Sequence, residues 1–92
     1  MIALGPGVRD IVYGEDGTAV VMVEQEVFAI SPLAAEILAT VSKASELDLD
    51  ALVEAAEAAF GPPPPGQDAG AAVAACVDEL IRPGVLAHVS SA

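Results

Sequence analysis

The residues able to do covalent or acid–base chemistry are few and scattered. The 92-residue chain has one cysteine, Cys76, and one histidine, His88. His88 lies in a short apolar run, VLAHV over residues 85–89, and reads as a surface or half-buried side chain. Cys76 falls on the apolar stripe of a helical segment with no basic residue close in sequence to lower its pKa, so it reads as a structural thiol. One cysteine can form no internal disulfide and, with one histidine, cannot build a zinc or iron–sulfur site. The carboxylate pairs Glu15-Asp16 and Asp78-Glu79 read as solvated surface. Adjacent residues on a helix do not face one another. GPG at residues 5–7 and GEDG at residues 14–17 lack the Lys and Ser/Thr of a phosphate loop. No set of polar groups converges, so the expectation is a chain that catalyses nothing and holds no cofactor or metal.

Charge narrows the choice further. Three basic residues, Arg9, Lys43 and Arg82, stand against 14 acidic ones, for a formal net charge of −11. A nucleic-acid binder needs several cations to neutralise phosphates, and a membrane-surface helix needs a basic face. Both are excluded as expectations. Hydrophobic residues make up 54% of the chain, too many for a disordered acidic tail. Residues 1–7 carry no secretory signal pattern, and no apolar stretch approaches the roughly 20 residues of a membrane span. The expectation is one soluble cytoplasmic domain over residues 1–92, with a small core that buries about 60% of the unfolded surface.

The elements that must position any site change character along the chain. Val8, Ile11, Val12 and Tyr13 make a β-rich run. Residues 14–17 carry two glycines and an Asp suited to bond its own backbone, which predicts a turn. TAVVMV over residues 18–23 is apolar on both faces and suits a central strand. After Glu24-Gln25-Glu26, the run VFAI over residues 27–30 suits an edge. Short connections predict an antiparallel meander. Ser31-Pro32 then supplies an N-cap and a first helical residue, and Ala34, Ile37, Leu38 and Val41 follow at helical spacing over residues 32–42. Asp48 caps a second helix over residues 48–60, closed by Gly61. Residues 61–66 hold four prolines and read as a stiff connector. A third helix over residues 69–82 carries Val73, Cys76, Val77, Leu80 and Ile81, and Pro83-Gly84 ends it. Residues 85–89 read as a strand or packed coil, and the last three residues as a frayed end. The fold class is therefore α+β, with a three-stranded antiparallel sheet followed by three helices.

With catalysis set aside, binding remains. An edge strand exposes unpaired backbone groups, and a peptide can add there as a further strand. The stripe of the third helix spans about 140° between Cys76 and Ile81, wide enough for both core and groove. That a peptide binds here is one reading; that the whole stripe is core is the other.

Two strings carry a family resemblance over about residues 7–89. Val27-Phe28-Ala29-Ile30-Ser31-Pro32-Leu33-Ala34-Ala35-Glu36-Ile37-Leu38 is similar to a third strand, cap and first helix, and VAACVDELIRPGVL over residues 73–86 is similar to a closing helix. Gly7-Val8-Arg9 precedes them. Together they resemble the PqqD-like family of recognition elements, which hold leader peptides of ribosomally made, modified peptides. Ile30-Ser31 stands where the family has Leu-Asn, and residues 42–45 replace its usual Asp-Gly turn. The resemblance implies a winged-helix-like domain that clamps an extended leader between the third strand and the third helix. Carried onto this sequence, Val27, Phe28, Ala29 and Ile30 would supply the backbone ladder. Val73, Ala74, Val77, Asp78 and Ile81 would form the helical wall, with Val73 and Val77 open to a purely core role. The implied partners are a precursor leader and a separate modifying enzyme of the radical-SAM, cyclodehydratase or peptidase class. An assembly subunit that forms a homodimer is the alternative; a winged-helix regulator ranks below it, because the third helix holds only Arg82 beside Asp78 and Glu79. The acidic charge is read as conferring solubility, with steering of a basic partner as the other reading.

Overall fold

A computed structural model describes residues 1–89; residues 90–92, expected to fray, lie outside them. The order is β1 (Ile2–Leu4), β2 (Val8–Tyr13), β3 (Ala19–Val23), β4 (Glu26–Ile30), α1 (Pro32–Ala44), β5 (Glu46–Leu47), α2 (Leu49–Phe60), α3 (Ala69–Ile81) and β6 (Leu86–His88). The fold is α+β, with an antiparallel sheet β2-β3-β4 and three helices. No helix among the described residues is long and apolar enough to cross a membrane.

The β2-β3-β4 meander forms for the reasons its residue types suggest. β3 lies in the centre, with Val21 opposite Ile11 on one side and Phe28 on the other. Its alternation is strict: Ala19, Val21 and Val23 are buried, while Val20 and Met22 are exposed. The second apolar face of β3 is therefore open to solvent. At the first hairpin, the Asp16 carboxylate accepts from the Thr18 backbone N–H at 3.1 Å and from its hydroxyl, and Gly17 adopts φ +88°. Those bonds to the charged form hold the Asp16 carboxyl below its ordinary pKa. The second hairpin turns on Glu24 at φ 53°, a conformation costly for a residue with a Cβ.

The first two helices are capped as the sequence predicts. The Ser31 hydroxyl accepts from the Ala34 N–H at 3.3 Å, and the Asp48 carboxylate accepts from the Ala51 N–H at 2.8 Å. α1 runs two residues beyond the expected end at 42, through Lys43 to Ala44.

A second sheet, β5-β1-β6, is absent from the sequence reading. β1 lies at its centre, antiparallel to both neighbours, so Ile2 stands opposite Leu47 and His88. β1 and β5 have three and two residues, too few for any alternation to register. Residues 85–89, which read as a strand or packed coil, contain β6. One core joins both sheets and the helices: Ile2, Val21, Leu38, Leu52, Val73 and Leu86 all belong to it.

Candidate functional site: a cleft between an edge strand and the third helix

The site starts from β4. Among the described residues β4 pairs only with β3, so its outer edge is free. Successive residues of a strand send their N–H and C=O groups to opposite sides, so about half of this strand's backbone groups face away from the sheet. Phe28 is half-buried and Ile30 is buried; Val27 and Ala29 are exposed.

The end of α3 stands across a cleft from this strand. Gly84 takes φ +90°, its N–H donates to the Ile81 carbonyl at 3.0 Å, and the Val85 N–H donates to the Leu80 carbonyl at 3.0 Å. This bond pair is a Schellman closure, with Leu80 and Val85, both buried, as its apolar partners. Between β4 and α3 lies a cleft of about 270 Å³. Phe28, Ala29, Ile30, Ser31 and Ala34 line one side, and Cys76, Glu79, Leu80, Pro83 and Val85 the other. Its volume falls below the roughly 300–1,000 Å³ of small-molecule sites and suits one or two side chains of a chain lying along the edge.

The expected strand residues meet this cleft in part. Phe28, Ala29 and Ile30 line it; Val27 is absent from the lining and is 59% exposed, opposite Met22 on the open face of the sheet. The helical wall is displaced. Val73 and Val77 are 1% and 3% exposed and belong to the core, so they are not groove residues. Ala74, Asp78 and Ile81 do not line the cleft either. At roughly 100° per residue, they sit on one flank of the Val73–Val77 line, while Cys76, Glu79 and Pro83 sit on the other. Ile81 packs on the core from that far flank. The sequence showed a stripe wide enough for two roles. The phase of the helix was hidden because it depends on where α1 and α2 press against it.

Electrostatics set the cleft's character. Burial pushes the Cys76 thiol above its ordinary pKa, and the nearby Glu79 carboxylate pushes it further. A thiol held neutral is a poor nucleophile. Glu79 is the one ionisable carboxylate in the lining, and the one ion pair among the described residues, Arg9 to Glu24 at 2.9 Å and exposed, involves no lining residue. Among the described residues, no three His, Cys, Asp or Glu side chains gather where a metal ion could sit.

Two other clefts flank the helices. One lies beneath Pro62, Pro63 and Pro64, with Ala56, Phe60 and Val73 in its walls, so the proline connector also covers apolar surface between α2 and α3. The other brings Tyr13 and Phe60 beside Pro32. Compared with family models, with curated proteins and with solved structures, the chain matches none.

Proposed function

We propose that the protein is a non-catalytic, leader-peptide-binding adaptor of the PqqD-like kind. A ribosomally made precursor adds its leader as a strand along β4, beside α3, and is presented to a separate modifying enzyme of the radical-SAM, cyclodehydratase or peptidase class. On this reading the domain is winged-helix-like, works in the cytoplasm, and contributes by raising the local concentration of precursor at its enzyme.

One observation carries the proposal: the free edge of β4 borders a cleft, floored by apolar side chains, whose opposite wall is α3. Strand addition needs both parts, unpaired backbone groups for affinity and a side-chain pocket for selectivity. The test is a titration of the full chain with the leader of a precursor encoded beside it, followed by backbone amide shifts. Saturable shifts on residues 27–30 and on the Cys76–Pro83 side of α3 are expected. Shifts confined to other surfaces, or none at high micromolar leader, would overturn the proposal.

A second reading rests on a different surface. Val12, Val20, Met22 and Val27 are each more than 40% exposed and share the open face of the β2-β3-β4 sheet. Such a face favours an assembly subunit in which two copies pack sheet to sheet. An obligate dimer without leader affinity, measured by light scattering, would favour that reading.

A further inference from the structure

The cleft beside β4 holds more information than its shape. Nine of its ten lining residues are uncharged, and the tenth is Glu79, exposed on α3. Its neighbour in the chain, Asp78, is also exposed and acidic. Among the described residues Glu79 forms no ion pair. Its carboxylate therefore stands at the mouth of an apolar cleft without a cation from this chain. The whole molecule carries −11, so an anionic segment is repelled on approach and a cationic one attracted.

We propose that Glu79 is a specificity-determining residue, and that the cleft selects an extended segment with an apolar side chain and a Lys or Arg two residues apart. The inference rests on the adaptor reading and narrows its ligand. Side chains two residues apart on an added strand point the same way and lie roughly 6.6 Å apart. One turn of α3 separates Cys76 from Glu79, about 4.5 Å along the helix axis. With an apolar side chain seated against Phe28, Cys76 and Leu80, a Lys or Arg two positions along is long enough to span the difference and reach the Glu79 carboxylate. A Lys or Arg there gains a charge-assisted hydrogen bond. A Glu or Asp there meets like charge at a partly desolvated site.

The probe is a library of random ten-residue peptides displayed on phage and selected on the full chain. The selected sequences are then synthesised and titrated against the wild type, Glu79→Gln and Glu79→Lys. Glu79 is exposed, so both variants are expected to fold, which circular dichroism checks. The expected result is enrichment of Lys or Arg two positions from a Leu, Ile or Phe. Kd should rise about fivefold in Glu79→Gln, the upper range for a partly exposed pair, and further in Glu79→Lys. A peptide with its Lys replaced by Glu should regain affinity on Glu79→Lys. Peptides that shift the amides of β4 and α3 but show no basic preference and no response to Glu79 would overturn this inference and leave the adaptor reading standing. Peptides that bind only elsewhere, or none at all, would overturn both.

Discussion

Cys76 is the sole thiol of the chain and stands in the wall of the cleft, so it reports on the site without any added label. Its pKa is raised by burial first and by Glu79 second, so thiolate forms later than in a free cysteine. The unfolded chain therefore loses this proton first as pH rises. Between the two pKa values the unfolded state binds fewer protons, and stability falls with pH. Urea unfolding should show this decline above about pH 8.5, and Cys76→Ala should remove the part due to this group. A pH profile identical in the two proteins would mean that the thiol is not desolvated. Alkylation of Cys76 should also slow when a leader fills the cleft. Val77 belongs to the opposite category: it is buried in the core, and Val77→Ala should cost about 1–3 kcal/mol in urea unfolding without altering the cleft's selectivity.

The elements divide into those that act locally and those that depend on the rest of the chain. Ser31, Asp48, the Asp16 turn and the central place of β3 depend on a few residues each, and all were legible in the sequence; the strict burial alternation of β3 was not, because its residues are apolar on both faces. β1 and β5 were not, because strands this short exist only through their partners. The wall of the site was half legible. Phe28, Ala29 and Ile30 follow from the edge position of β4, whereas Cys76, Glu79, Leu80 and Pro83 follow from the rotation of α3 about its axis. The cap on α1 gives one expectation: Ser31→Ala should lower stability by about 1 kcal/mol, and Ser31→Asp should restore it. The edge gives another. Phe28 and Ala29 are consecutive, so one directs its N–H to β3 and the other outward. Of Phe28→Pro and Ala29→Pro, one should lose a sheet bond and much of its stability, and the other should stay folded while leader binding drops. A folded variant of that pair with unchanged leader affinity would remove β4 from the site.

For the whole molecule, charge and the open sheet face act against each other. Two copies at −11 each repel, while Val12, Val20, Met22 and Val27 offer apolar surface for self-association. Repulsion weakens as the Debye length falls from about 8 Å at physiological salt to about 3 Å at 1 M. Light scattering should therefore find a larger mass at high salt, and Val20→Lys should abolish the increase. A mass independent of salt would show that the face is inert. The β5-β1-β6 sheet has a different consequence. The Val89 N–H donates to the Met1 carbonyl at 2.8 Å, and the Gly5 N–H to the Val85 carbonyl at 2.9 Å, at an approach so tight that a Cβ on Gly5 would lie 1.8 Å from the Gly84 carbonyl oxygen. Residues 1 and 89 are thus neighbours in space, held together through the β1–β6 pairing. A short linker joining them, with new ends opened between Pro62 and Pro63, would give a circular permutant in which α3 precedes the β2-β3-β4 meander, with only β6, the linker and β1 between them. The two walls of the cleft would then be made in one continuous stretch.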